Sequence, residues 1–368
     1  MLLGMAMAMA ACSGDSVDRA AVAEGYADLV HRSYSDAHGA AVDMQSAIVA
    51  FLDAPSDETL AAAKQAWLDA RDVYGPTEAF RFYDGPIDDP DDGPEGQINA
   101  WPMDEAYVDY VDGSPDAGII NNPDQHPEIT VDVLVEANEQ GGETNISTGW
   151  HAVEFLLWGQ DLSADGPGSR PVGDYIEAPN ADRRAQYLSL ATEQLIADIA
   201  SVRDEWDPES GAYRQAFLED PDTAVTNILR GIGALSAGEL AGERMAVAYE
   251  TRDQEDEHSC FSDNTNADVL ANVSGVRMVY LGDGAEGPSV SDLVADIDPA
   301  LDEALREQLD SSIGLVEAFP ATFEAMISAS DGSPERQAFL AALEAIEAQG
   351  ETIARAADAL GMSITIDV

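Results

Sequence analysis

The chain has few basic residues, few cysteines and few aromatic residues. Only 17 of its 368 residues are Lys or Arg, against 71 Asp or Glu, so the formal net charge is −54. This balance argues against nucleic acid as a partner, because binding to phosphates requires a basic surface. A solvated acidic surface is the simplest reading, and its diffuse negative field would also concentrate cations near the protein.

Only two cysteines are present, Cys12 and Cys260. Cys12 follows the apolar run MLLGMAMAMAA and precedes a polar stretch, a pattern typical of a bacterial lipoprotein signal. We therefore predict a signal segment at 1–12 and a lipid on Cys12 that anchors the protein, facing the periplasm, to a membrane of the cell envelope. Basic residues do not precede the apolar run, so a longer signal with an earlier start, or a merely apolar terminus, remain alternatives. Cys260 is then a lone thiol, which we expect to be buried and inert.

Long apolar stretches are also lacking, and none beyond the N-terminus reaches the roughly 18 residues of a transmembrane helix. The composition, 45% hydrophobic but only 7% aromatic, indicates packed helices. Because single cores stop growing at about 250 to 300 residues, the length predicts two domains. We predict an all-α fold of two helical bundles, at 15–165 and 175–362.

Apolar residues recur at helical spacing along most of the chain. The predicted helices are 15–54, 57–82, 131–137, 149–159, 182–206, 221–250, 262–280, 300–326 and 334–360. The stretch from Gly75 to Asn122 is dense in Pro, Gly and Asp and predicts a long structured loop in the first bundle. Trp101 within it indicates that the loop packs against something, so a lid or a site lining is expected.

The segment GWHAVEF places His151 and Glu154 three residues apart, on one side of a helix that is predicted to start near Ser147 or Thr148. Imidazole nitrogen and carboxylate oxygen together suit zinc or iron. A helical His beside a Glu is common without any metal. Here the rest of the helix is apolar, so its polar groups need partners, and we take both residues as candidate metal ligands.

A second polar group lies in GELAGERMAVAYETRDQEDEHSCFSDNTNAD. Glu239 and Glu243 are four residues apart on one predicted helix face, beside Arg244. They form either a buried network or a solvated stripe of an acidic protein. Glu257 and His258 follow where this helix breaks, and His258 is the best candidate for a second nitrogen ligand.

A third group lies in YGPTEAFRFYDGP, where Glu78 and Arg81 share a predicted helical face. A purely structural ion pair is an equally good interpretation of this spacing. The remaining histidines, His31, His38 and His126, lack comparable surroundings and are predicted to be structural or exposed.

Together, YGPTEAFRF, GWHAVEFLLWGQD and GELAGERMAVAYETRDQEDEHSCFSDNT resemble, in this order, the hallmark segments of the imelysin family, particularly its iron-regulated envelope members. The resemblance runs from about Tyr26 to Leu360. It implies a two-bundle helical fold, an envelope location, a site between the bundles built around a GxHxxE motif, and an association with iron uptake or regulation. The motif residues carried over by position are Gly149, His151 and Glu154.

Position within the matching segments implies further members of the site, less directly than the motif does. The implied metal ligands are Glu78, Glu239, Glu243 and His258, and the implied lining residues are Arg81, Arg244 and Glu257. Asn266 departs from the pattern, since we expect His at this position in related sequences. That departure puts one possible extra ligand in doubt.

Three functions remain open at this stage. The first is an envelope lipoprotein that binds iron, or zinc or another divalent metal, as an ion or a small chelate, and that passes it to an envelope transport partner. The second is a metallopeptidase, because the resembled family is classed among peptidases, although the chain has no HExxH motif. The third is a structural envelope protein, in which the motif serves packing.

Overall fold

A computed structural model describes residues 17–163 and 166–367. The predicted signal segment and Cys12 lie outside the described residues. Within the described part, no helix combines the length and the apolar character that crossing a membrane requires.

The first half of the chain is built around a long helical hairpin. Its helices are α1 (Arg19–Asp53), α2 (Asp57–Tyr74), α3 (Glu95–Ile98), α4 (Glu105–Val108), α5 (Gly118–Asn121), α6 (Val131–Ala137), α7 (Gly149–Trp158) and α8 (Ala181–Glu205). Short 3-10 helices occupy Gly75–Phe80 and Val172–Tyr175. Helix α1 packs against α2 and α8, and α7 packs against α2 and α8 as well, which places the motif helix inside this bundle.

The second half forms another set of packed helices. They are α9 (Ala212–Glu219), α10 (Pro221–Ala234), a π-helix (Leu235–Ala246), α11 (Val247–Thr251), a 3-10 helix (Gln254–Asp256), α12 (Thr265–Leu281), α13 (Val290–Ile297), α14 (Pro299–Glu317), α15 (Phe323–Ser328) and α16 (Pro334–Ala359). Helix α16 packs against α10, α14 and the π-helix, and α12 packs against α14 and the 3-10 helix that follows α2.

The all-α prediction is confirmed, since among the described residues the sole β-type pairing is one isolated bridge between Val111 and Ser114. Several predicted helices are shorter or interrupted. The α-helical part of the second predicted helix ends at Tyr74, because Pro76 has no amide hydrogen to continue the ladder, and the chain tightens into a 3-10 helix. The predicted 300–326 helix is two helices, with Pro320 in the break.

The buried apolar residues of the described chain form one contiguous cluster, from Val22 in α1 to Met362 beyond α16. All ten residues of α7 are buried within it. The predicted division of the chain at about residue 165 stays a prediction. What matters for the site is that polar groups on α7 are enclosed by both halves of the chain, so each of them needs a partner inside the protein.

Candidate metal centre

Gly149 begins the motif helix in a backbone conformation that favours glycine. Its φ is +84°, and a Cβ at this position would lie 2.5 Å from the carbonyl oxygen of Ile98. Only glycine avoids both the strained φ and this clash. Thr148, the residue before the helix, does not cap it, because its hydroxyl instead contacts Gln97 and Asn138. The first position of GxHxxE is therefore fixed by close packing of α7 against the end of α3.

His151 and Glu154 contact each other on the buried helix. Nδ1 of His151 lies 3.0 Å from Oε2 of Glu154. The other carboxyl oxygen, Oε1, accepts hydrogen bonds from the Ser262 amide at 2.9 Å and the Ser262 hydroxyl at 2.6 Å. Burial raises the pKa of Glu154 to about 8 and lowers the pKa of His151 well below its usual value. Both oxygens of Glu154 have hydrogen-bond partners in this structure, so the residue connects His151 to Ser262, and its role as a metal ligand stays a prediction.

His258 lies beside His151, although 107 positions separate them in the sequence. The two ring centroids are 4.8 Å apart, with the ring planes at 71°. Nδ1 of His258 lies 2.8 Å from Oδ2 of Asp268, which also accepts a 2.6 Å hydrogen bond from the Ser259 hydroxyl. Burial, and then the charge of Arg244, lower the pKa of His258 to about 4, so the ring is neutral at pH 7.

Arg71 fixes the charge of Asp268 and thereby the tautomer of His258. Its guanidinium donates to both oxygens of Asp268, at 3.1 and 3.3 Å. Burial opposes ionisation of Asp268, but the charge of Arg71 outweighs it and holds the pKa well below its usual value. An ionised carboxylate only accepts hydrogen bonds, so its 2.8 Å contact with Nδ1 of His258 favours a proton on Nδ1 over the longer 3.2 Å contact of the same atom with the Arg71 guanidinium. The free lone pair of the neutral ring is consequently on Nε2.

Nε2 of His151 and Nε2 of His258 are both buried and have no hydrogen-bond partner among the described residues. Two neighbouring imidazoles, each with a carboxylate on its Nδ1, match the arrangement in which proteins orient histidine ligands toward a metal. The donor set fits zinc, iron or another imidazole-binding metal. Within the described residues no third His, Cys, Asp or Glu completes a ligand group with this pair.

A cavity of about 310 Å³ opens onto His258. The loop predicted to line a site forms part of its wall, because Trp101 contacts His258 edge-to-face at 5.8 Å between ring centroids and donates from its indole to the carbonyl of Glu257 at 2.9 Å. The lining is strongly charged. It includes Arg81, Glu95, Glu139, Glu143, Glu239 and Arg244.

Glu78, Arg81, Glu239 and Arg244 meet in one buried network beside this cavity. Oε2 of Glu78 accepts from Arg81 at 3.0 Å and from Arg244 at 2.7 Å. Burial opposes its ionisation, but the two arginines outweigh burial and hold the pKa of Glu78 well below its usual value. Arg244 also donates to Glu239 at 2.9 Å. These ion pairs connect Glu78 and Glu239 to the two arginines that line the cavity and so stabilise its wall.

Glu243 is exposed and stands outside the network. The sequence prediction assumed an α-helix, in which residues four apart align. The segment is instead a π-helix, whose hydrogen bonds join residues five apart, and this brings Glu239 into line with Arg244. The side-chain amide of Asn266 donates to the carbonyl of Ala321 at 2.9 Å, so this residue bonds to a different part of the chain from the histidine pair.

The other sequence-predicted groups are placed as follows. Glu257 is buried and precedes His258 in the sequence, but the charges that act on its carboxyl group are those of Asp263, Glu324 and Asp161. Cys260 is a buried free thiol whose pKa is raised by burial. His31, His38 and His126 are half-buried, and His31 lies 3.8 Å from Asp207.

Arg71 and Asp268 were missed by the sequence analysis. The signal for Arg71 was its position on the buried face of α2, four residues after Trp67 and three before Tyr74. Asp268 lies in the first turn of α12, where acidic residues are common, so its sequence position offered no distinct signal.

The fold and the site define a class: an all-α protein in which two halves enclose a pair of carboxylate-backed histidines on a buried GxHxxE helix. Comparison with known proteins identifies the family. The model of the Imelysin family, peptidase family M75, matches residues 30–350, so the chain belongs to the imelysin family. The resemblance found in the sequence is thereby confirmed.

Two relatives agree with this assignment. Iron-regulated protein A of Synechococcus elongatus is 26% identical over 347 residues, which cover 90% of this chain and 84% of that protein. A crystal structure described as an iron-regulated protein A precursor from Parabacteroides distasonis matches with a TM-score of 0.68 at 17% identity. The match covers 93% of this chain and 96% of that one, and it shows a shared fold.

Proposed function

We propose that this protein binds iron at the cell envelope through Nε2 of His151 and Nε2 of His258, in iron uptake or regulation. The observation that carries the proposal is this pair of buried nitrogen atoms without hydrogen-bond partners. A buried polar atom without a partner costs stability, and a bound metal ion would satisfy both atoms at once. Glu154 and Asp268 would hold the two rings in the required orientation.

The choice of iron rests on the relatives. Imidazole accommodates zinc, copper, iron and nickel, so the donor set does not by itself select among them. A relative that aligns with 90% of the chain is named an iron-regulated protein. Zinc or another divalent metal at the same nitrogens is the competing outcome of the experiment below.

The cavity supports delivery of the metal as a hydrated ion or a small chelate. Two protein nitrogens leave other coordination positions to water or to the ligands that arrive with the metal. A cavity of about 310 Å³ has room for a hydrated ion or a small chelate. The carboxylates of its wall and the net charge of −54 favour the approach of a cation.

Lipid anchoring at Cys12 and hand-over to an envelope transport partner complete the proposed role. Both rest on the signal-like sequence before Cys12, which lies outside the described residues. Growth of the producing cells with labelled palmitate tests the anchor. We expect label on the wild-type protein and none on Cys12→Ala, and label on both would contradict the assignment of Cys12.

The test of metal binding is the metal content and Fe(II) affinity of the protein under anaerobic conditions. We compare wild type with His151→Ala and His258→Ala, and use His31→Ala as the matched control at a half-buried histidine elsewhere. We expect one iron per chain in wild type and control, and loss of binding in both site variants. Equal iron content in all four proteins would show that the histidine pair is not the site.

The same samples distinguish the remaining functions. Cleavage of a peptide substrate that is lost with His151 or His258 would replace the binding role by a metallopeptidase of the imelysin type. If neither metal binding nor cleavage is found in the wild type, the buried pair serves packing, and the structural interpretation is correct.

A further inference from the structure

Asn99 is a buried residue in the wall of the cavity that opens onto His258. It directly follows helix α3 and is 3% exposed. The residue before it, Ile98, lies against Gly149 at the start of the motif helix, and Trp101, two residues after it, contacts the ring of His258. Asn99 is therefore placed where the motif helix, the cavity and His258 come together.

The guanidinium group of Arg71 fixes the orientation of the Asn99 amide. Nη1 of Arg71 lies 2.5 Å from Oδ1 of Asn99, and Nη2 of the same group lies 3.2 Å from Nδ1 of His258. A guanidinium group only donates hydrogen bonds, so the Asn99 atom that faces it must be the oxygen. The NH₂ group of Asn99 consequently points away from Arg71, and turning the amide round would set two donors against each other.

The NH₂ group of Asn99 lacks an acceptor. Its Nδ2 atom is buried and, like Nε2 of His258, has no hydrogen-bond partner among the described residues. Buried polar atoms in proteins are nearly always paired, so this donor indicates a partner that the chain itself does not supply. The metal ion cannot be that partner, because an amide NH₂ group donates and offers no lone pair. The missing partner is an acceptor atom.

We propose that Asn99 donates a hydrogen bond to a carboxylate oxygen of a ligand on the metal, so that the site takes a metal carboxylate chelate in preference to the hydrated ion. Two histidine nitrogens leave other coordination positions to ligands that arrive with the metal. An anionic oxygen is a stronger acceptor than water. This proposal rests on the proposed function, because the carboxylate is held by the metal as well as by Asn99.

The charges around the cavity make carboxylate binding depend on the metal. Arg81 and Arg244 line the cavity, but both already donate to Glu78. Four glutamates line the same cavity. A free carboxylate would therefore meet a negative wall, whereas a bound metal cation reverses the local charge. We expect no carboxylate binding to the metal-free protein.

The experiment is an anaerobic calorimetric titration of the whole protein with malonate, a small dicarboxylate, with and without bound Fe(II). The decisive variant is Asn99→Asp, which keeps an oxygen for Arg71 but replaces the donor by a second oxygen. Asn99→Ala removes the donor without adding charge, and Asn227→Ala, at a half-buried asparagine of α10, is the control. We expect one malonate per iron-loaded chain in wild type and control, and binding weaker by roughly tenfold or more in both Asn99 variants.

Iron affinity and thermal unfolding of the same proteins separate this role from a structural one. Asn99→Asp should bind iron at least as tightly as wild type, because no metal ligand is removed and a negative charge is added. If Asn99 served only as an acceptor for Arg71, Asp would replace it with malonate binding unchanged.

The possible failures are distinguishable. Iron-loaded wild type that binds no malonate, or malonate binding that is unchanged in either Asn99 variant, would overturn this proposal and leave iron binding by the histidine pair intact. If wild type binds no iron, the proposed function fails and this proposal fails with it.

Discussion

Replacement of Glu154 by Gln tests whether this residue orients His151 or binds metal itself. The sequence predicted a ligand, whereas the structure shows both carboxyl oxygens engaged, one by Nδ1 of His151 at 3.0 Å and one by Ser262 at 2.9 and 2.6 Å. Because burial raises the pKa of Glu154 to about 8, the side chain is largely uncharged at pH 7. Gln is therefore close to it in both shape and charge.

In Glu154→Gln, the new side-chain amide can make all the hydrogen bonds of the metal-free protein, but it disfavours the tautomer of His151 that binds metal. Its single oxygen is held by the two donors of Ser262, so its NH₂ group must face Nδ1 of His151. Nδ1 then accepts, as it does from the protonated carboxyl, and the ring proton is held on Nε2, the atom that would bind the metal. Metal binding requires the reverse tautomer and would set two donors against each other.

We therefore expect Glu154→Gln to weaken iron binding by about 10- to 100-fold, the usual cost of losing a group that orients a ligand. That range corresponds to about 1.4–2.7 kcal/mol. The free energy of unfolding of the metal-free protein should change by less than about 1 kcal/mol, since every hydrogen bond can be kept. Anaerobic Fe(II) titration and urea unfolding at pH 7 measure the two quantities.

Two results would refute this reasoning. An affinity equal to that of wild type would mean that the Glu154 carboxylate does not set the tautomer of His151. A loss as complete as that of His151→Ala, with the fold intact, would mean that Glu154 is itself a ligand, as the sequence alone suggested.

Further predictions concern stability. Gly149→Ala should lower the free energy of unfolding by about 2–4 kcal/mol, because the new Cβ would lie 2.5 Å from the Ile98 carbonyl at a φ of +84°; a change below about 1 kcal/mol in urea unfolding would contradict this. Glu78→Gln should lower the free energy of unfolding by about 3 kcal/mol in the same assay, because two buried arginines lose the carboxylate that they share. An unchanged urea midpoint would show that the other acidic partners of these arginines are sufficient. Burial raises the pKa of Asp198 to about 6, above its value in the unfolded chain. Ionisation of this carboxyl is therefore harder in the folded protein, and the free energy of unfolding falls as the pH rises through 6. Asp198→Asn should consequently raise the free energy of unfolding by about 1 kcal/mol at pH 7, after allowance for partial exposure, and leave it unchanged below pH 4. The same gain at both pH values would refute the raised pKa of Asp198.

Much of the fold was predictable because helical periodicity and the Gly-Pro interruptions are local signals. Helices α6, α7, α8 and α16 lie close to their predicted bounds, and the loop after α2 was identified by its Pro, Gly and Asp content. The π-helix was not predictable from periodicity, since its wider turn arises in the context of packing against α16 and α12. This is why Glu239 pairs with Arg244 while Glu243 is left exposed.

The site was predicted in part. His151 and His258 were singled out, because imidazoles in an otherwise apolar helix and at a helix break are rare enough to notice. Their partners were harder to find. Arg71 and Asp268 are 197 positions apart, and nothing in either local sequence indicates that they meet. The role of Glu154 also required the structure, because only the contact with Ser262 shows that its oxygens are already used.

The two histidines differ in how far the protein prepares them for a metal. Asp268 is kept ionised by Arg71, so His258 already presents a free lone pair on Nε2. Among the residues that the structure describes, no Arg or Lys side chain contacts Glu154, and His151 adopts the required tautomer only when its proton is on Nδ1. We infer that His258 is the pre-organised ligand and that His151 adjusts when the metal binds.

The most direct test of the central claim is a crystal structure of the Fe(II)-loaded protein with anomalous diffraction recorded on both sides of the iron absorption edge. The predicted result is an iron peak bonded to Nε2 of His151 and Nε2 of His258, with Glu154 and Asp268 still on the Nδ1 atoms. A fully loaded crystal in which iron instead sits on Glu154, or away from both histidines, would contradict the account.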